Sequence, residues 1–346
     1  MPLRISVCPY RLLFKHPFGT AHGLRDGTDA LFVQVEEDGL VGHGEITLPP
    51  YLRESVPEAR RRLHEIGAMH VWGMESLLNE LDSIRALRES PATRAGLHTA
   101  LCDAMARRHG RSIAEELGIA AFESPVAVMT IGICTTVEAV ARLRELPDKV
   151  ALKLKVGDPL AISRLKVLLE CSSARILLDG NQGFKSVSDA VQIIDAVPSE
   201  RLIGIEQPFG TDHDDWNEQL SRETGAVVIA DESMQGIEDL ERIFEMFGGV
   251  NIKLMKCGGL DRARDIAKRA GQYNLRVMLG CMSESSLGCG AMAQLANEAS
   301  ILDLDGPWLL ANDPWQGLSI EAGRLRLPNG PGVGVHERFS FDYIDP

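Results

Sequence analysis

Five residues with chemically useful side chains recur at near-regular spacing in the second half of the chain, each closing a short apolar run. Lys155 ends Leu152-Lys153-Leu154-Lys155, Asp179 ends Ile176-Leu177-Leu178-Asp179, and Glu206 ends Ile203-Gly204-Ile205-Glu206. Asp231 ends Val228-Ile229-Ala230-Asp231, and Lys253 ends Val250-Asn251-Ile252-Lys253. The intervals are 24, 27, 25 and 22 residues. A lone Asp after an apolar strand is ordinarily an N-cap for the next helix. Three carboxylates gathered at one place repel each other unless a cation joins them. The set is all oxygen, with no His or Cys in it, so it suits Mg2+, with Mn2+ as a substitute, better than zinc. A lysine before and a lysine after the carboxylates are candidates for acid/base work beside that cation.

Residues two apart on a strand face the same side, so Lys153 and Lys155 point together into the interior. Lys153 is expected beside Lys155, lowering its pKa by like-charge repulsion towards that of a competent base. The competing reading is a structural ion pair between Lys153 and a carboxylate. Lys253 would approach from the opposite wall. Two bases on opposite faces of one carbon can remove a proton from one side and return it to the other. Lys256 competes with Lys253 for that role, but it lies beside Cys257-Gly258-Gly259, past the expected strand end.

The elements that must position these residues follow from periodicity. Apolar β runs recur at 125–133, 150–156, 175–179, 203–206, 227–231, 250–254, 276–280 and 301–303, with helix-like stretches between them at 159–170, 187–196, 237–247 and 262–272. Eight alternating β and α units predict a parallel sheet closed into a (β/α)8 TIM barrel, with its chemistry at the C-terminal strand ends. The first 120 residues read differently. Strands are expected at 4–13, 30–36 and 40–46, with an Asp38-Gly39 turn, and helices at 54–68, 74–88, 91–108 and 113–117. Residues 16–29, with Pro17, Gly19, Gly23 and Gly27, read as a mobile loop. The expected division is an α+β capping domain over 1–120, a barrel over 121–313, and a Gly- and Pro-rich tail over 314–346 that packs back on the capping domain.

Bulk properties narrow the partners. Lys and Arg number 36 and Asp and Glu 49, a formal charge of −13, which argues against nucleic acid or an anionic membrane. Seven scattered cysteines without a CxxC pair read as reduced thiols. The first residues show no signal peptide, and no apolar run is long enough for a membrane span, so a cytoplasmic location is expected.

The motif order resembles the enolase superfamily, in its muconate-lactonizing-enzyme-like subgroup, over nearly the whole chain. The matching stretches are Lys153-Leu154-Lys155-Val156-Gly157, Leu178-Asp179-Gly180-Asn181-Gln182-Gly183, Ile205-Glu206-Gln207-Pro208, Ala230-Asp231-Glu232-Ser233 and Asn251 to Gly259. Gly42-His43-Gly44-Glu45 and Ala100-Leu101-Cys102-Asp103 are similar to its capping domain. The resemblance implies one Mg2+ per subunit on Asp179, Glu206 and Asp231, a substrate carboxylate bound to it, and Lys155 and Lys253 on either side of the adjoining carbon. Proton removal would give an enediolate that the metal stabilises. Lys153 would help bind substrate, and Asn181 and Glu232 would support the metal positions without touching substrate. Homo-oligomers are common in the superfamily and are expected here.

The superfamily shares this half-reaction, not the product. Asp303 and Asp305, at the eighth run, face the same way and need a cationic partner, either a protein Lys or Arg or a substrate ammonium. The pattern resembles the Asp-x-Asp of dipeptide epimerases, which implies that it holds the free ammonium of a dipeptide. Residues 278–288 resemble the matching segment of those enzymes. Glu284 within it reads as a supporting or structural residue, and Gly288-Cys289-Gly290 as close helix packing, not a phosphate loop. Arg25 would meet an acidic side chain, as in Ala-Glu epimerases, while Asp26 and Asp29 would favour a cationic one. The default substrate is L-Ala-D/L-Glu. The alternatives are an N-acylamino acid racemase, an o-succinylbenzoate synthase acting as a lyase, or a muconate-type cycloisomerase. Sugar dehydratases carry a His-Asp pair where Lys253 stands, which counts against them. A catalytically dead Mg2+-dependent binding protein would lack some of the five residues.

Overall fold

The computed structural model describes residues 3–20, 23–69, 73–119 and 125–346. The N-terminal unit is an antiparallel sheet of β1 (Arg4–Thr20), β2 (Gly23–Glu37) and β3 (Leu40–Leu48), paired in the order β1-β2-β3. Its alternating Ile5, Val7, Leu31, Val33 and Ile46 are buried. Helices α1 (Val56–Met69), α2 (Met74–Glu80), α3 (Arg85–Arg88), α4 (Pro91–Arg108) and α5 (Ile113–Glu116) follow. Helix α4 lies close on β3. A Cβ on Gly44 would stand 2.0 Å from the Gly96 carbonyl oxygen, so neither face could carry a larger residue there.

Two expectations for this unit need correction. Residues 16–20 and 23–29 are not a loop. They extend the β1–β2 hairpin, with Phe18 opposite Arg25 and Gly19 opposite Leu24 after a register shift between Leu13 and Phe18. Backbone pairing and an exposed cluster in which Arg11 grips Asp26 and Asp29 hold the arm together, while residues 21–22 at its tip lie outside the described residues. The predicted helix over 74–88 breaks after α2. The Ser83 backbone and hydroxyl both turn back to the Glu80 carbonyl, and Asp82 accepts from Arg94 and Arg262.

The barrel strands are β4 (Val128–Ile131), β5 (Ala151–Lys155), β6 (Ile176–Asp179), β7 (Leu202–Glu206), β8 (Val228–Ala230), β9 (Gly249–Ile252), β10 (Arg276–Gly280) and β11 (Ile301–Asp303). They pair in parallel in strict sequence order. A bridge between Ala127 and Leu302 joins the two ends of the series, giving the predicted (β/α)8 barrel in a nearly closed form. The helices are α6 (Thr136–Leu143), α7 (Ala161–Cys171), α8 (Val187–Asp195), α9 (Asp215–Thr224), α10 (Leu240–Ile243), α11 (Leu254–Cys257), α12 (Leu260–Gln272), α13 (Ser286–Ala293) and α14 (Gly306–Leu309). The predicted 237–247 helix is reduced to a 3-10 turn and the short α10. Among the described residues, no helix is long and apolar enough to cross a membrane.

The tail returns to the N-terminal sheet. Trp315 is buried, with ring centroids 5.8 Å from Phe32 and 5.5 Å from Phe341, and Val7 exchanges backbone hydrogen bonds with Ile344. The cap also reaches into the barrel itself. Glu45 on β3 accepts from the backbone and hydroxyl of Ser285 and from Gly288 N, so a buried carboxylate of one unit caps helix α13 of the other.

Candidate active site

Register places the candidate residues on one rim. On adjacent strands Lys155 is opposite Asp179, and Asp179 is opposite Glu206. Asp231 stands one residue past β8, and Lys253 one past β9. Barrel strands two and six are four apart in a ring of eight, so Lys155 and Lys253 enter from opposite walls. Both line a cavity of about 710 Å³ together with Lys153, Asp231, Asp303, Asp305, Asn181, Glu232, Arg25 and Phe18. Asp179 and Glu206 lie fully buried beneath it.

The rim is a mesh of buried opposite charges. Lys155 Nζ is 2.6 Å from Asp179 Oδ2, and Lys253 Nζ is 2.7 Å from Asp231 Oδ2. Lys153 Nζ lies 3.0 Å from Asp179, 2.6 Å from Glu206 and 2.6 Å from Asp303. Lys153 is therefore the ion-paired lysine of the competing reading. Its charge is spent on three carboxylates, which outweigh burial and hold its pKa well above the ordinary value. Lys256, the rival to Lys253, donates to Asp231 Oδ1, the Asp231 carbonyl and the Asn251 carbonyl, so all three of its donors are engaged.

Burial alone would raise the carboxylates. At Asp179 the charges of Lys153 and Lys155 overcome it and hold the group at about 2. At Asp231 burial is outweighed by Lys253 and Lys256. At Glu206, between them, burial and the charge of Asp179 prevail over Lys153, and its pKa lies above the carboxylate range. The middle carboxylate is the one least able to hold its charge, so this is where added positive charge would be taken up. Among the described residues, no three acidic, His or Cys side chains stand in a metal-holding arrangement, and lysine ammonium groups lie against Glu206, Asp179 and Asp231. The donor set, all carboxylate and mutually repelling, fits a hard divalent cation.

Other predicted residues fall as follows. Asp303 gives Oδ2 to Lys153, while its buried Oδ1 has no partner. Asp305 accepts from Thr130 N at 2.7 Å, and burial followed by Asp303 pushes it up to about 6. Asn181 supports Asp179 through its backbone, with N to Oδ1 3.0 Å, and its own side-chain oxygen is unpaired. Glu232 is partly buried with an unpaired oxygen, and burial followed by Asp231 raises it to about 7. Arg25 leans over the Phe14 and Tyr51 rings at 5.7 and 5.8 Å with one buried, unpaired guanidinium nitrogen. Asp26 and Asp29 do not line the cavity. They are turned to Arg11 on the outer face of the hairpin, which removes the expectation that they favour a cationic substrate. Glu284 is buried, accepts from Met282 N, and is pushed up to about 8 by burial and then by Glu45.

Two supporting residues escaped the sequence reading. Gln207 takes a left-handed φ of 33° and ties the strand ends together: its Oε1 accepts from Asp231 N and Ser233 N, and its Nε2 donates to Ser233 and Phe209. Asn251 donates to Glu206 at 2.8 Å. The available signals were the Glu-Gln-Pro motif and the i, i+2 placement of Asn251 and Lys253.

The family description "Enolase C-terminal domain-like" matches residues 135–338, and "Mandelate racemase / muconate lactonizing enzyme, N-terminal domain" matches residues 5–118. The chain belongs to the enolase superfamily. It is an isomerase of the racemase and epimerase kind. This superfamily member is similar over 96% of its length, at 30% identity, to an L-Ala-D/L-Glu epimerase of Bacteroides thetaiotaomicron, of which it covers 88%. An L-Lys-D/L-Arg epimerase of Methylococcus capsulatus is 35% identical, with 94% of each chain covered. A crystal structure of a dipeptide epimerase from the same organism, complexed with Mg and the dipeptide L-Arg-D-Lys, superposes with a TM-score of 0.87 at 32% identity, over 97% of this chain and 99% of that one.

Proposed function

We propose that this protein is a Mg2+-dependent dipeptide epimerase that inverts the Cα of the C-terminal residue by two-base 1,1-proton transfer. The observation that carries the proposal is the cavity itself, lined by two lysines from opposite barrel walls together with Asp231 of the carboxylate row and Asp303 and Asp305 of the Asp-x-Asp pair. Asp179, Glu206 and Asp231 would hold the metal. When bound, it supplies Lewis-acid stabilisation of the enediolate charge that develops on the substrate carboxylate. Lys155 takes the α-proton on one face and Lys253 delivers one on the other, with the roles reversed for the opposite epimer. Lys153 holds the carboxylate row and Asp303 together. Asp303 and Asp305 receive the substrate ammonium, and the unpartnered Asp303 Oδ1 is the acceptor left open for it. N-acylated substrates and dicarboxylates bring no such cation, which places the racemase, lyase and cycloisomerase alternatives second.

Arg25, with its unpaired guanidinium nitrogen inside the cavity, supports an acidic C-terminal residue, and L-Ala-D/L-Glu is the default pair. The test is deuterium uptake at Cα in D2O with Mg2+, comparing L-Ala-L-Glu, L-Lys-L-Arg and N-succinyl amino acids. Exchange of L-Ala-L-Glu is expected. Exchange of L-Lys-L-Arg alone would overturn the acidic assignment, and exchange of N-succinyl amino acids without any dipeptide would overturn the epimerase assignment.

A further inference from the structure

We infer that Asn251 is a positioning residue that aims Glu206 at the cation and reserves one of its two oxygens for it; this rests on the metal-dependent reading above. Asn251 lies on β9 two residues before Lys253, so both side chains face the barrel interior. It is fully buried. Its amide crosses over β8 and donates from Nδ2 to Glu206 Oε1 at 2.8 Å. The other oxygen of Glu206, Oε2, is the one that meets the Lys153 ammonium at 2.6 Å, so the cationic side of this carboxylate is already distinct from its amide side. In this contact the amide nitrogen is the donor and the carboxylate oxygen the acceptor.

Neighbouring structure is built around this contact. The Lys256 ammonium binds the Asn251 carbonyl at 3.0 Å and fixes the backbone from which the amide projects. On the next strand Gly280 leaves the space the amide fills. A Cβ there would come within 2.3 Å of Asn251 Oδ1 and 2.8 Å of Nδ2. Asn251 Oδ1 itself has no donor, so this buried amide is kept here with its bond to Glu206 and its acceptor unused. Burying an unpaired amide oxygen is costly, and a role at Glu206 accounts for retaining it.

The experiment is Mg2+ titration of the intact protein by calorimetry, without substrate, for the wild type, Asn251→Leu, Asn251→Asp and Gly280→Ala. Loss of a ligand-orienting partner lowers metal affinity by roughly 10–100-fold, and Asn251→Leu is expected in that range. Gly280→Ala should weaken binding in the same direction, since the added methyl pushes the amide aside without deleting it. The metal-free thermal midpoint of at least one variant should stay near that of the wild type, which separates aiming from general packing. If the wild type binds Mg2+ and the folded variants bind it equally tightly, this inference alone fails. If the wild type takes up no Mg2+, the metal-dependent reading falls and this inference falls with it.

Discussion

The two mouths of the barrel differ in a way that volume conceals. The larger cavity, about 1140 Å³, opens at the N-terminal strand ends and is lined by Val128, Ala151, Leu152 and Ile301 with Arg144, Lys149, Arg175 and Arg276 around it. Those four cations are all exposed, where charge costs little. The C-terminal mouth is smaller, yet Lys153, Lys155, Lys253 and Lys256 are all buried there against Asp179, Glu206, Asp231 and Asp303. Buried ions are tolerated only when paired, and a buried mesh of this kind is weak support for stability. Chemistry is a better reason for it. The lesson is that desolvated charge, not space, separates the working end of this barrel from the idle one.

The hardest test of that contrast is Lys155→Ala. Loss of a general base costs about 10²–10⁴-fold in rate, so Cα deuterium exchange of the epimer whose proton faces Lys155 should fall by that range while calorimetry still shows dipeptide binding. Unchanged exchange would put the chemistry elsewhere. A smaller effect is expected at Glu284, beneath the same rim. Its folded-state pKa of about 8 lies above the ordinary carboxyl value, so the folded protein binds this proton more tightly than the unfolded chain. The stabilisation is therefore present below the ordinary value near 4.5 and is lost as pH rises through about 8. Glu284→Gln keeps a neutral side chain, and at pH 9 it should melt a few °C higher than the wild type, on the scale of roughly 2–4 °C per kcal/mol for a large domain. An equal or lower melting point at pH 9 would contradict a neutral Glu284. The smallest effect is predicted at the opposite mouth. Arg276→Ala should leave kcat/KM within about twofold, as exposed substitutions away from a site usually do. A large loss there would erase the distinction between the two ends.

Much of the barrel and its rim is legible in the sequence. The eight strands fall where apolar runs of β-type residues recur, and the rim residues are those that close each run. The cap was less legible. Residues 16–29 read as a loop because glycine and proline interrupt the pattern, yet cross-strand pairing holds Phe18 against Arg25. The 74–88 stretch reads as one helix because its periodicity continues, but it breaks where Ser83 bonds locally to the Glu80 carbonyl and Asp82 is drawn to the distant Arg94 and Arg262. Asp26 and Asp29 read as candidate substrate contacts from proximity to Arg25, whereas both are exposed and paired with Arg11.

What the sequence by itself determined is the order of chemical groups around the rim, because a parallel barrel presents consecutive strand ends side by side and the residue at each end is a matter of local pattern. Only the tertiary structure decided which groups touch. Lys153 bridges β5 to β7 and β11, Asn251 reaches across β8 to Glu206, and Glu45 of the cap seats helix α13 of the barrel. Those contacts depend on closure of the sheet and on the docking of two units. Both are set by packing between residues far apart in the chain, which no local periodicity encodes.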